Sequence, residues 1–516
     1  MPDTNAPSPG DALLRQAAQP LGSQLAALYA ERIRQRTLTA GARLPSVRDC
    51  ARQHRVSPST VVSAYDQLQA QGLVEARRQR GFFVRGPAGR LRSTAETLPA
   101  EAQALPPPVD ATALIRGMFQ LVPGGASMPQ HAPAARGSAT AAAGRPGIGL
   151  AGQGPGQGTL PDSWLDAALV GRALRRALPH AAQALHYGEP AGDAELRAAL
   201  SRRLGDELGI AAAPGRIVTT LGATHALDLV ARTLLQPGDA VLVDEPGWAI
   251  EFARLTRMGM RLLPVPRSEH GPDLAELERL AMLHRPRLYV TVSVLHNPTG
   301  QTLSLAAAHR ILQLAEAHDL TIVEDDTYAW FAPPHAPRLA ALDGLRRTVY
   351  ISGFSKILAP NWRVGFVAAP AELAERLIDT KLLGTLTTPA LMERAAAWCL
   401  DQGLLRRHAE RVVQRLDAAR QRVVRLAEAA GCRFVTPPQG LFGWVDAGVD
   451  TDALAARMAA SGWLLAPGSL FHTRPPADRQ PPPQRPGTLM RLNFATAHEA
   501  RFWQAYGRAR EALAPL

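Results

Sequence analysis

Lysine is scarce in this chain. Of 57 basic residues only two, Lys356 and Lys381, are lysines; the remainder are arginines. Guanidinium stays protonated, whereas an ε-amine can lose its proton and form a Schiff base. A lysine kept in an arginine-rich background therefore hints at amine chemistry. Lys356 sits in GFSKILAP, residues 353–360, while Lys381 has no comparable surroundings. Scarcity alone does not separate chemistry from chance, so the neighbouring motifs decide.

Those motifs are SGFSK (352–356), VEDDTY (323–328), HNPTG (296–300), LGATHAL (221–227), DEPGW (244–248) and MRLNFA (490–495). Several follow apolar runs that read as strands. In an α/β sheet the C-terminal ends of strands converge on one crevice, so motifs far apart in sequence can meet there. The chemistry they would serve together is that of pyridoxal phosphate. A Schiff base needs Lys356, and the pyridine nitrogen needs a carboxylate, Asp325 or Asp326, to stay protonated. The phenolic oxygen needs donors, which Asn297 and Tyr328 can supply. Trp248 can stack on the ring. Gly222, Ala223 and Thr224 at a helix start, with Arg363, can hold the phosphate. Each motif alone has an ordinary structural reading: a solvated strand end or a metal site for EDD, a turn for NPTG, core for Trp248. Their order and spacing together favour the cofactor.

The elements that must position these residues are legible as an alternation. RIVTTL, AVLVDEP, RLYVTVSV, LTIVEDD and TVYISG are short apolar runs bounded by turn residues. THALDLVARTLLQ and LAAAHRILQLAEAH between them have helical spacing. This predicts an α/β domain over 148–516 with a mainly parallel sheet, its last part from about 400 a smaller α+β unit. Residues 87–147 are rich in Ala, Pro and Gly and read as linker. Inside them ATALIRGMFQLV is apolar at helical spacing. Residues 1–20 read as a flexible lead.

Residues 21–86 are compact and arginine-rich. Leu25, Leu28, Tyr29 and Ile33 share a helical face. Ser57 is a good N-cap with Pro58 at the first helical position, and Gly72 fits the stop of that helix. LVEARRQRGFFV reads as two short strands around a basic turn. Three helices and a basic wing make a winged helix-turn-helix, whose second motif helix enters the major groove by its N-terminal end, where Ser57, Ser59 and Thr60 sit. Arg48 can grip a phosphate, and Arg77, Arg78 and Arg80 can reach DNA from the wing. Residues 44–84 resemble the GntR-type DNA-binding domain. The resemblance implies DNA contacts by Arg48, Ser57, Ser59, Thr60, Arg80 and Gly81. Pro58 stands where that family often has arginine, which leaves one base contact without its residue.

Residues 148–516 resemble the fold-type I aminotransferases of class I/II. The resemblance implies the Schiff base on Lys356 and Asp325 as partner of the pyridine nitrogen. It implies Asn297 and Tyr328 on the phenolic oxygen, Trp248 on the ring, and Ala223, Thr224 and Arg363 on the phosphate. Tyr187 would reach the phosphate of a neighbouring subunit, and Arg491 would pair with a substrate α-carboxylate. Where the family has Ser or Thr three residues before the lysine, this chain has Gly353, leaving Ser352 or Ser355 to serve.

A GntR-like domain joined to an aminotransferase-like domain resembles the MocR/GabR regulators. That resemblance implies a bacterial head-to-tail homodimer that binds pyridoxal phosphate and a double-stranded DNA operator. An amino acid or amine displacing Lys356 as an external aldimine would shift the spacing of the DNA-binding modules. The alternative is an aminotransferase acting on an α-amino acid with a 2-oxo acid acceptor, so enzymatic activity is left open. A third, cofactor-free binding module is disfavoured by the intact Lys356, Asp325 and Asn297 set.

Bulk composition agrees. A net charge of +12 over 516 residues suits an anionic partner such as nucleic acid. Cys50, Cys399 and Cys432 form neither a metal spacing nor a disulfide framework, which fits a reducing cytoplasm. The N-terminus lacks a signal-peptide pattern and no stretch is apolar enough for a membrane span. No metal site is expected.

Overall fold

The computed structural model describes residues 20–34, 37–38, 41–77, 81–84, 154–473 and 487–513. The linker, its apolar segment ATALIRGMFQLV, and Arg78 and Arg80 lie outside the described residues, as does the side chain of Arg77. The chain divides into two units, described separately.

The first unit holds helices α1 (Leu21–Arg34), α2 (Val47–His54) and α3 (Pro58–Ala70). It also holds strands β1 (Val74–Arg77) and β2 (Gly81–Val84), paired antiparallel with Val74 opposite Val84. Local sequence explains each boundary. Ser46 caps α2 and Ser57 caps α3, each side chain accepting from the N–H of the residue three positions on. Pro58 opens α3, and Gly72 takes the left-handed conformation (φ 71°) that turns the chain into β1. Leu25, Tyr29, Cys50, Val61, Tyr65 and Leu68 fill the core. Leu28 and Ile33 are only partly buried against it. Tyr65 locks the packing by donating to Pro45 O at 2.9 Å.

The second unit is built on an eight-stranded sheet. Its strands are β3 (Ile217–Thr220), β4 (Ala240–Glu245), β5 (Arg261–Ser268), β6 (Gly271–Pro272), β7 (Leu288–Thr291), β8 (Thr321–Asp325), β9 (Thr348–Gly353) and β10 (Gly365–Ala368). The order is β3–β10–β9–β8–β7–β4–β5–β6. β5, β4, β7, β8 and β9 run parallel, and β10 is antiparallel to both neighbours. Both faces are covered, and the strand period of two decides which residue goes where. In β4, Val241 and Val243 pack toward the helices Ala223–Leu234 and Ala249–Arg257, while Leu242 packs toward Leu274–His284 and Leu305–Ala317. β7 stops at Thr291, short of the end of the apolar run RLYVTVSV, whose last residues form the loop leading to Asn297.

A second, antiparallel sheet runs β11 (Arg433–Phe434), β12 (Phe442–Asp446), β14 (Leu489–Asn493), β13 (Ala466–Pro467). Beneath both sheets runs one shared core cluster, which also takes in Ile217, Tyr350 and Phe366 of the first sheet. Helices Ala167–Ala177 and Ala194–Leu208 share one core cluster with Ala390–Asp401, Leu404–Ala429 and the second sheet. Apolar helix faces there outweigh chain order. Among the described residues no helix is long and apolar enough to cross a membrane.

Candidate functional site

The parallel strands release their chains at one edge. β4 ends at Glu245 and leads to Trp248, β8 ends at Asp325, and β9 leads to Lys356. Trp248, Asn297, Asp325 and Tyr328 line one cleft with Asp244, Glu251 and His296. Lys356 faces it, its Nζ 5.7 Å from the Trp248 ring centre and 5.9 Å from that of Tyr328.

Lys356 is nearly buried and donates to Gly158 O at 2.7 Å. Burial, with Arg491 and Arg363 nearby, brings its amine down to about 8 against the opposing pull of Asp325. A substantial neutral fraction near physiological pH is what a nucleophilic amine requires.

The two adjacent aspartates have opposite fates, because successive residues along an extended chain face opposite sides. Asp326 is fully buried, bound by Arg338 Nε at 2.6 Å and by the Tyr350 hydroxyl at 2.9 Å. Asp325 faces the cleft, accepts from the N–H and hydroxyl of Thr327, and is pushed up to about 6 by burial. Residue types alone left both open and the family resemblance implied Asp325; the geometry agrees in engaging Asp326 in an internal ion pair.

Arg491 is buried on β14, over Phe442 at 4.3 Å. It donates to Asn297 Oδ1 at 2.8 Å and to Gly156 O at 2.7 Å. Among the described residues no carboxylate pairs with it, and burial brings it down to about 10. Its Nε meets no acceptor among them, and neither do Asn297 Nδ2 and the Tyr328 hydroxyl. Buried donors without acceptors are costly, so three of them at one cleft mark a place prepared for acceptor atoms.

The helix Ala223–Leu234 begins at Gly222 (φ 83°) and no side chain caps it. Arg363 donates to Leu221 O at 2.7 Å and to Ser355 Oγ at 3.2 Å, beside that helix start. Any side chain at Gly222 would meet the Arg363 guanidinium at 2.6 Å, and one at Gly365 would meet the Ala223 nitrogen at 2.9 Å. Ser352 is turned away and donates to Asp326 O at 2.8 Å, which leaves Ser355 beside the helix start. Gly353 has little room for a side chain, since a Cβ there would lie 3.1 Å from Val364 O. Tyr187 is not brought into the cleft; it is 81 % exposed.

Sequence reasoning missed the strap Gly154–Thr159. The carbonyls of Gly156 and Gly158 hold Arg491 and Lys356, and Asn493 Nδ2 ties the strap through Gln157 O and Thr159 O. Glycines at 154, 156 and 158 were the available signal. Glu251 was missed too, although it lies one helical turn beyond Trp248.

In the first unit Ser57 and Ser59 are exposed at the start of α3, and Ser57 Oγ lies 2.7 Å from both Ser59 Oγ and Thr60 Oγ1. Arg48 is exposed in the first turn of α2. Gly81 is exposed at the start of β2 with φ 95°. Arg43, not singled out from sequence, lies beside Gly81 and bridges to Phe83.

The donor set fits a planar aldehyde bearing a ring nitrogen, a phenolic oxygen and a phosphate. Comparison with known proteins points the same way. Residues 156–502 match the model of aminotransferase class I and II. Residues 21–84 match that of bacterial regulatory proteins of the gntR family. The chain is 28 % identical over 439 residues to the uncharacterized HTH-type transcriptional regulator YisV of Bacillus subtilis, covering 84 % of this chain and 85 % of that protein. It is 30 % identical over 430 residues to the probable rhizopine catabolism regulatory protein MocR of Rhizobium meliloti, covering 79 % and 77 %. The solved structure of LysN, an α-aminoadipate aminotransferase from Thermus thermophilus complexed with N-(5'-phosphopyridoxyl)-L-leucine, superposes with a TM-score of 0.62 at 28 % identity, covering 69 % and 91 %.

Proposed function

This chain belongs to the class I and II aminotransferase family and carries a gntR-family domain ahead of it, and from that premise we propose a DNA-binding transcriptional regulator that senses an amino acid or amine through pyridoxal phosphate. The observation that carries the reading is the amine of Lys356, brought down to about 8, in one cleft with the unbalanced Arg491. Bound there, pyridoxal phosphate supplies an aldehyde for amines and an electron sink.

The residues divide the work. Asp325 would face the ring nitrogen and favour its protonated form, while Trp248 would cover the ring. Asn297 and Tyr328 donate to the phenolic oxygen. The uncapped helix start at Ala223 and Thr224, with Arg363 and Ser355, holds the phosphate. Arg491 takes the ligand's carboxylate by a two-point contact that a lysine cannot match. Lys356 would hold the cofactor's aldehyde through its amine. The exposed Tyr187 serves the phosphate of a second copy in a head-to-tail homodimer.

Residues 21–86 form the DNA-binding module, 87–147 the linker and 148–516 the sensor, in a cytoplasmic bacterial protein. Ser57, Ser59 and Thr60 meet bases, and Arg48, Arg80 and Gly81 meet the backbone of a double-stranded operator. A ligand alters DNA binding only through unequal affinity for two states of the sensor.

The test is the visible absorbance of the full chain with pyridoxal phosphate, for wild type and Lys356→Ala, titrated with amino acids and followed by operator binding. A band lost in the variant, moved by one ligand that also changes DNA affinity, supports the reading. No band in wild type rejects it. A second reading, a working aminotransferase, draws support from the fully furnished cleft. It predicts stoichiometric excess of 2-oxo acid product over protein, and its absence rejects that reading.

A further inference from the structure

Lys356 sits in the turn that follows β9, and side chains from elsewhere in the fold hold that turn at both ends. At its start Trp330 Nε1 donates to Gly353 O at 3.3 Å, with the Arg203 guanidinium 3.6 Å from the centre of the Trp330 ring. One residue past Lys356, His408 Nε2 lies 3.0 Å from Ile357 O. Between these points the turn bonds to itself: the N–H groups of Ile357 and Leu358 both donate to Phe354 O, at 3.2 and 2.9 Å. His408 belongs to the helix Leu404–Ala429, 51 residues along the chain from Ile357, and is 3 % exposed.

The helix buries a face that includes Leu405, His408, Ala409, Val412 and Leu416, the three-and-four spacing of an amphipathic helix. The others of that stripe are apolar, and an imidazole set among them carries a desolvation cost that a hydrogen bond must offset. A carbonyl oxygen can only accept, so Nε2 carries the hydrogen in whichever form the ring is present. Ile357 is itself fully buried, so removing the donor strands a carbonyl away from water. The peptide affected lies next to Lys356, whose amine stands at the end of a four-carbon lever. Misplacing a reacting group by about 1 Å can cost on the order of 100-fold in rate.

We propose that His408 is a positioning residue: by donating from Nε2 to Ile357 O it fixes the turn from which the Lys356 amine reaches the aldehyde of pyridoxal phosphate. The proposal rests on the reading of Lys356 given above. It makes the helix Leu404–Ala429 part of the cofactor site although that helix supplies no residue to the lining of the cleft.

The test uses the full chain as wild type, His408→Gln, which keeps an amide donor, His408→Phe, which keeps a ring without a donor, Lys356→Ala, and Lys356→Ala with His408→Phe. His408→Leu is a second donorless form. The readouts are the dissociation constant of pyridoxal phosphate, the rate at which its visible band develops, and melting without cofactor as a check on folding. His408→Phe should slow the band and weaken the cofactor roughly tenfold, while His408→Gln stays within about threefold of wild type. In the Lys356→Ala background, where no bond to the amine can form, His408→Phe should change cofactor affinity by less than about twofold. Equal behaviour of His408→Gln and His408→Phe overturns the proposal, as does a His408→Phe effect that persists undiminished without Lys356. Failure of both donorless variants to fold overturns it too, in favour of a role in the core alone. If wild type gives no band, or Lys356→Ala keeps it, the reading of Lys356 itself fails.

Discussion

The amine of Lys356 gives the most exacting prediction, because its reactivity follows its protonation. Its ordinary value is 10.5 and the cleft brings it to about 8. At pH 7 the neutral fraction is then roughly a tenth, against about one part in 3,000 for an unperturbed lysine, a gain on the order of 300-fold in the reactive form. Stopped-flow absorbance of cofactor-free protein mixed with pyridoxal phosphate reads that fraction directly. The combination rate should climb with pH from about 7, bend near 8 and be level by about 9.5. The neighbours set the sign of each shift. Arg491 disfavours the ammonium, so Arg491→Met should move the bend upward; Asp325 favours it, so Asp325→Asn should move the bend downward. Stability follows by linkage. A lysine whose folded value lies below its unfolded one makes the unfolded chain bind more protons between about 8 and 10.5, so the cofactor-free protein gains stability as pH rises through that window. A rate still rising tenfold per pH unit beyond about 9 refutes the reasoning, as does a bend indifferent to both substitutions.

Arg491→Lys keeps charge but loses the planar two-point contact; calorimetry should find carboxylate ligands weakened by about tenfold or more, with amines lacking a carboxylate much less affected. Asp326→Asn removes one partner of a buried pair with Arg338, so denaturation should find a loss of about 3–5 kcal/mol, while Asp325→Asn leaves stability nearly unchanged and weakens the cofactor. Ser57→Ala removes the cap of α3, so melting of the first unit should report a loss of about 1 kcal/mol together with weaker operator binding.

Much of this arrangement was legible because local chemistry wrote it. Ser57 and Pro58 announce a helix start, and Gly72 its end. The strands AVLVDEP and TVYISG were visible as apolar runs, and their ends carry the residues of the cleft. Less visible was anything decided by direction or by backbone. Asp325 and Asp326 are identical as letters; the family resemblance picked out Asp325, but the physical reason, the pleat of β8 and the remote Arg338, shows only in the structure. Ser352 and Ser355 were equal candidates until Ser352 was found bonded to Asp326 O. The helices Ala167–Ala177 and Ala194–Leu208 join a core whose other half lies far along the chain, and no local pattern reports that pairing. Glu251 looks like an ordinary first-turn acid, favoured there by the helix dipole; only the cleft around it makes it unusual.

The strap Gly154–Thr159 touches the two principal cations of the cleft with main-chain oxygens, which every residue type possesses. Adding side chains at 156 or 158 cannot delete those acceptors. A saturation scan would therefore register the strap only as a tolerance for size. Position 156 should refuse any side chain, since a Cβ there would come within 2.6 Å of Leu465, whereas position 158, with nothing nearer than 3.7 Å, should admit alanine. Selection at such a segment preserves a path through space rather than a set of functional groups, so a chain of quite different spelling could keep the same two contacts.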